Sequence, residues 1–262
     1  IKSGDLNVPS ISAPLKLFPF SCWYMYPSYP PWITVSTPDK RSVSVEEGFI
    51  ASGGQKAIPT AKLTEMVEGL GWIENTVDIK NTISFSDPSF NDIESFFSSH
   101  KIDHIGNQSN SDCKFALEIE WNNKDEFFDR DFVAMRGLYE ARAIELGIII
   151  TRGKDFEDHI SREVSKYFKN ENINSVKDFS TLKSKLKTKN LKLSFPTESQ
   201  KKDIDKKFKT TGDFNVACTS VFCNSKFGGT TTNWRQLQKR MERRAIGKTP
   251  LIILGIPPIC VK

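Results

Sequence analysis

The chain has few cysteines and no long apolar run, and each shortage removes a class of protein. Five cysteines in 262 residues, at positions 22, 113, 218, 223 and 260, are odd in number and irregular in spacing, so they make no disulfide framework. Cys218 and Cys223 lie too far apart for the Cys-x-x-Cys knuckle of a structural zinc site. Such cysteine usage suits a reducing cytoplasm. The longest apolar stretch, TPLIILGIPPICV, is interrupted by Gly255, Pro257 and Pro258, which excludes a membrane-spanning helix there. No basic-apolar leader with a small-residue cleavage site opens the chain. No internal repeat or linker divides it, so residues 1–262 are expected to form a single domain with a sizeable core.

Positive charge, by contrast, is concentrated. The formal net charge is +5, yet Lys177 to Lys209 alone contains eleven lysines against Asp178, Glu198, Asp203 and Asp205. A second basic segment, NWRQLQKRMERRAIGK, follows at 233–248. The basic region 177–262 therefore favours a polyanionic partner, although lysine-rich helix faces are often merely solvated. At the other end, residues 1–60 form a proline- and aromatic-rich arm containing FPFSCWYMYPSYPPW. Its prolines exclude a long helix. Its aromatics either pack across the domain or stack on a ligand.

Between these ends the periodicity changes several times. PTAKLTEMVEGLGW predicts a short helix started by Pro59 and stopped by Gly71, and DPSFNDIESFFSSH predicts another. KIDHIG and CKFALEIEW alternate as strands around the polar turn NQSNSD. From Asp125 the apolar residues Phe128, Phe132, Met135, Tyr139 and Leu146 follow helical spacing up to Gly147, and IIITRG follows as a buried strand. Residues 154–190 read as helical, 191–232 as mixed, and 233–246 as a basic helix before the strand PLIILGI. The order predicts an α/β fold, with the region 100–153 at its centre.

Within FALEIEW two glutamates flank one isoleucine. In a strand, successive side chains point to opposite faces, so Phe115, Leu117, Ile119 and Trp121 share an apolar face while Ala116, Glu118, Glu120 and Asn122 share the other. Glu118 and Glu120 are expected to line a polar cleft about 7 Å apart. A turn centred near Ser109–Asn110, or one residue later, sets Asp103 opposite Glu118 or its neighbour, with Cβ atoms roughly 4.5–5.5 Å apart. Asp112 is the competing acid, placed in the turn. Carboxylates that close need a cation or a shared proton. Mg²⁺, held by Asp103 and Glu118 with water and phosphate oxygens, satisfies that need, and Glu120 either activates a water or helps hold a second ion. A strand with one wet face is also ordinary in an antiparallel sheet, and Glu-x-Glu alone is a weak signal.

An acid, a turn, an acid-x-polar strand, a helix and a further strand resemble the PD-(D/E)xK nuclease core. More narrowly, LTEMVEGLGWIEN, KIDHIG, FALEIEWNNKDEFFDRDF, GIIITRG and TPLIILGI, in that order, resemble the BglII/BstYI-like Type II restriction endonucleases. The resemblance implies a central mixed β-sheet flanked by helices, and a prokaryotic, cytoplasmic homodimer with no membrane and no organic cofactor. It implies Mg²⁺-dependent cleavage of double-stranded DNA at a short palindromic site. It places the metal-binding acids on Asp103 and Glu118, and Glu120 where the general motif has lysine, a position at which this family carries Gln or Glu.

Candidate DNA contacts are Asn122, Asn123 and Lys124 at the strand exit, Arg130 on the next helix, and Lys226, Thr230, Thr231, Thr232 and Asn233 before the basic helix. Simple helix capping by Asn123 or Asp125, and by Thr232 or Asn233, competes with contact to DNA. Arg152, at the end of its strand, is expected to pair with a neighbouring acid. Alternative functions on the same core are a nuclease without sequence specificity, acting on damaged or structured DNA, and a DNA-binding module that no longer turns over. A glycosidase using paired carboxylates leaves the basic tracts unexplained.

Overall fold

The structure is a computed structural model that describes residues 43–52, 57–87, 89–107, 114–243 and 246–261. Most of the N-terminal arm, Asp112 and the centre of the predicted turn lie outside the described residues. Five strands form one sheet in the order β1-β2-β3-β4-β5. β1 (Ile73–Ile83), β2 (Ile93–Asn107) and β3 (Lys114–Glu120) pair antiparallel, and β4 (Leu146–Arg152) and β5 (Leu251–Ile256) continue the sheet in parallel. Seven α-helices accompany them among the described residues: α1 (Ile58–Glu68), α2 (Phe127–Glu140), α3 (Phe156–Asn170), α4 (Asp178–Thr188), α5 (Glu198–Thr211), α6 (Phe214–Phe227) and α7 (Trp234–Glu242). None is long and apolar enough to cross a membrane.

The sheet lies between two apolar layers, as the alternation in its strands requires. Phe115, Leu117, Ile119 and Trp121 of β3, with Ile148 and Ile150 of β4, join the core built with α3, α4 and α6. Ala116 and Ile149 face the other way, against Phe128, Phe132 and Met135 of α2 and Trp234 and Leu237 of α7. A parallel pair such as β3–β4 needs a long crossover, and α2 supplies it over the face that carries Glu118 and Glu120.

Three expectations change. DPSFNDIESFFSSH is not a helix, because residues 93–100 belong to β2 and pair with β1 from Ile83↔Ile93 to Val77↔His100. Its partner strand, in which Val77 and Ile79 alternate with Asp78 and Lys80, lies ahead of it in the chain, and local pattern alone does not reveal the pairing. The basic, mixed segment after residue 191 contains two regular helices, α5 and α6. Finally, α2 stops at Glu140 rather than at Gly147. Arg142 adopts φ 56°, and the Glu145 amide donates to the Lys114 carbonyl, which brings the chain alongside β3 to begin β4. Gly147 lies inside β4, where a Cβ would stand 2.6 Å from Met135 Sδ.

One irregularity bears on the site. β2 pairs Ile105 with Ile73 and Ile102 with Asn75, so it takes three residue steps where β1 takes two. This is a β-bulge, which breaks the alternation of a strand and re-aims its side chains. Ile102, below the bulge, and Ile105, above it, consequently both pack toward α2, and Asp103 sits within the bulge.

Gly106 follows on β2, opposite Phe115. A Cβ there would come within 2.1 Å of the Trp72 indole, which is buried and stacked on Phe115 at 6.1 Å. Gly106→Ala is expected to displace Trp72 and to destabilise the fold by about 1–3 kcal/mol. A lower urea midpoint at unchanged slope, followed by tryptophan fluorescence, checks this.

Candidate active site

Four carboxylates meet where β2, β3 and α2 converge. The β2–β3 register, from Asn107↔Lys114 to His104↔Leu117, continues by one step to set Asp103 beside Glu118, the later of the two expected turn positions. At that step side chains take over from the backbone ladder. The Asp103 amide donates to Glu118 Oε2 at 3.3 Å, and the Ile119 amide donates to Asp103 Oδ2 at 2.9 Å. Glu118 Oε1 lies 3.1 Å from His100 Nε2, which is itself 3.7 Å from Asp131 Oδ1. Glu120 Oε2 accepts from Asn123 Nδ2 at 2.9 Å, and the Glu120 carboxyl is in hydrogen-bonding contact with Asp131.

Glu118 and Glu120 occupy the expected face of β3, but that face is no open cleft. α2 covers it, leaving Glu118 1%, Glu120 2% and Asp131 0% exposed. Asp103 alone of the four is half-buried and lines a cleft of about 520 Å³, together with Glu74, Lys101, Asn122, Asn123 and Arg130. Burial is the main reason that Glu118 is held well above the usual carboxylate range, reinforced by the charges of Asp131 and Asp103. Burial likewise raises Glu120 to about 9, with Asp131 adding to it, and raises Asp131 against the opposing pull of Arg130. Burial and the Arg130 charge lower His100, which disfavours its charged imidazolium form.

Little positive charge offsets these acids. Arg130 bonds Asp131 Oδ1 at 3.3 Å and is half-exposed. Lys101 pairs with Glu74 at 2.9 Å. Four carboxylates beside one half-exposed guanidinium suit a divalent cation, since oxygen donors bind hard cations.

The two groups of candidate DNA contacts, about a hundred residues apart in sequence, come together. Lys124 bridges to Thr231. The Asn123 amide donates to Thr232 Oγ1 at 3.0 Å, and the Thr232 amide returns a bond to the Asn123 carbonyl at 2.8 Å. Arg152, fully buried at the end of β4, holds this clamp from below. Its Nη2 donates to Thr231 Oγ1 at 2.8 Å and to the Thr232 carbonyl at 2.7 Å, and its guanidinium lies 5.2 Å from the Phe227 ring. It therefore takes hydroxyl and carbonyl partners where an acid was the expected one.

The candidates differ in what they present to solvent. Thr232 and Asn233 are buried, and Asn233 caps α7 by accepting the Gln236 amide at 3.0 Å. Lys226 donates to the Phe49 carbonyl at 2.6 Å and to that of Ala51. Burial lowers its ammonium to about 7. Asn123, Lys124, Arg130 and Thr230 are exposed, and Asn122 and Thr231 are half-buried. Neither Asn123 nor Asp125 caps α2, whose N-cap is Glu126; Asn123 turns to Glu120, and Asp125 accepts from Arg240 at 2.7 Å.

His100 and Asp131 were not among the expected site residues. HKIDH offers an H-x-x-x-H spacing, but on a strand rather than a helix, and its His100 is in contact with the acids. Asp131 falls among apolar positions of α2, between Phe128 and Phe132, and a buried acid on an apolar face is the signal that marks it.

A carboxyl whose folded pKa is raised keeps its proton in the native state after the unfolded chain has lost its own, so stability falls as pH rises between the two values. For Glu120 that window runs from the ordinary 4.5 to about 9. Without divalent cations, the melting temperature is expected to fall from pH 5 to pH 9. Glu120→Gln should flatten the profile and stabilise the protein at pH 8 by about 1–3 kcal/mol.

The sequence profile of a family described as restriction endonuclease BglII/BglIII matches residues 41–256. No curated protein and no solved structure matches the chain. The matched span includes all five strands, the four converging acids and the clamp tied down by Arg152. The mixed α/β sheet flanked by helices is consistent with that fold, and the chain belongs to the restriction endonuclease BglII/BglIII family.

Proposed function

We propose that the protein is a Type II restriction endonuclease, a cytoplasmic homodimer that hydrolyses double-stranded DNA at a short palindromic site with Mg²⁺. The observation that carries this reading is the convergence of Asp103, Glu118 and Glu120 with Asp131 against so little positive charge, in a chain of this family. Asp103 and Glu118 would hold the ion. When bound, Mg²⁺ supplies a Lewis acid for the scissile phosphate and lowers the pKa of an attacking water.

The chain's own groups prepare that chemistry. The Ile119 amide fixes Asp103, and the Asp103 amide and His100 fix Glu118, so the two acids hold each other in register. Asn123 and Asp131 hold the Glu120 carboxyl in place, and once ionised it would accept a proton from water. The half-exposed Asp103 meets the cleft where a phosphate enters, and Arg130 and Lys101 on the same lining draw the backbone in. Asn122, Lys124 and Thr230, displayed by the clamp, contact the duplex, while exposed lysines of α4 and α5 follow its backbone with salt-sensitive affinity.

Plasmid DNA incubated with the protein and Mg²⁺ is expected to give discrete fragments whose ends share one sequence. A smear points instead to a nuclease without sequence specificity, and shifted but intact DNA to a binding module. Glu118→Ala should keep DNA affinity within a few-fold while the cleavage rate falls by about 10²–10³-fold or more. Cutting by Glu118→Ala at near the wild-type rate sinks the site assignment.

A further inference from the structure

Behind the acid that reaches the cleft lies a second set of donors of different chemistry. His100 Nε2, an oxygen of Glu118 and an oxygen of Asp131 all lie within 4.8 Å of one another, and all three residues are buried. Asp131 carries the stronger indication. It is fully enclosed, its Oδ1 meets Arg130 and His100, and beyond the Glu120 carboxyl no group among the described residues is placed to donate to its Oδ2. A carboxylate oxygen buried without a donor costs about 1–3 kcal/mol or more unless something else satisfies it.

We infer that His100, Glu118 and Asp131 form a mixed nitrogen–oxygen site for a first-row transition-metal ion such as Mn²⁺, Co²⁺ or Zn²⁺. It rests on the reading above only in sharing Glu118 with the proposed Mg²⁺ site. Glu118 is suited to serve both sides: its Oε2 faces the Asp103 amide and its Oε1 faces His100. Donors around one ion at about 2.0–2.2 Å stand about 3.0 Å apart at adjacent octahedral positions and about 3.4 Å apart in a tetrahedron. The separations from His100 Nε2, 3.1 Å to Glu118 Oε1 and 3.7 Å to Asp131 Oδ1, lie within a few tenths of an ångström of the tetrahedral value.

Ligand type sets the selectivity. Mg²⁺ and Ca²⁺ prefer all-oxygen surroundings, whereas imidazole favours later first-row ions. The site therefore discriminates against Ca²⁺. Asp103, in the bulge and bonded to the Ile119 amide, is not part of it.

DNA-free protein titrated with Mn²⁺ and, separately, with Ca²⁺ tests this. Calorimetry should show one more equivalent for Mn²⁺ than for Ca²⁺, and pulsed EPR of the Mn²⁺-loaded protein should show nitrogen coupling from a histidine. His100→Gln should abolish the coupling and weaken the extra equivalent at least tenfold. Asp131→Asn keeps the shape of the side chain and should weaken that equivalent likewise, so it serves if His100→Gln fails to fold. Asp103→Asn should leave the nitrogen-coupled ion in place. Equal stoichiometries for the two ions, absence of nitrogen coupling in the wild type, or coupling that survives in folded His100→Gln overturns the inference. A protein that binds the nitrogen-coupled ion and never cuts DNA would overturn the nuclease reading alone.

Discussion

Repulsion among carboxylates that the fold has enclosed is the constraint around which the protein is built. Glu118, Glu120 and Asp131 are shut between β3 and α2, and removing an ionised carboxylate from water is costly unless it is paired. The surroundings answer with partial measures. Two backbone amides and one side-chain amide donate to three of the four acids, the His100 imidazole stands between Glu118 and Asp131, and burial raises Glu120 to about 9. Each measure fixes an oxygen in place, so the interactions that reduce the cost of burial also preorganise the donors. A stable fold alone would be served better by leucine or methionine at these positions, and keeping acids there is consistent with binding a cation.

The bulge in β2 makes the convergence geometrically feasible. In a regular strand Ile102 and Ile105 would face opposite sides of the sheet. The added residue turns both toward α2 and leaves Asp103 at the step where β2 and β3 exchange side-chain bonds for ladder bonds. The parallel half of the sheet contributes differently. β3 and β4 run side by side from Phe115↔Leu146 to Glu120↔Thr151, so Glu120 and Arg152 emerge at the same end. The acids and the support of the Asn123–Thr232 clamp thus share one edge.

Much of this was legible in the sequence, and the failures have physical causes. The alternation in FALEIEW separated the two faces of β3 correctly, because one face is uniformly apolar and a one-residue slip would bury the wrong set. The turn length set Asp103 opposite Glu118 or its neighbour, and the register of the strands selects Glu118. By contrast, β1 and the first half of β2 escaped because their pairing is non-local and the aromatic–serine run SFFSS satisfies several patterns at once. The enclosure of the glutamates was hidden for a similar reason: alternation tells which face a residue takes, and the element that later covers that face lies further along the chain. Among the nine expected DNA contacts, the hydroxyl and amide side chains of Thr232 and Asn233 proved ambiguous, since groups that suit phosphate also suit a helix cap and a backbone partner.

The clamp between Asn123 and Thr232 joins positions 109 residues apart. A contact of such separation has a high loop-closure entropy, which must be met before the contact contributes anything. Arg152 comes from the end of β4, whereas its partners Thr231 and Thr232 lie between α6 and α7, so the clamp needs both parts of the chain in place. The integrity of that edge therefore hangs on one buried guanidinium that ties the end of the sheet to a loop far along the chain.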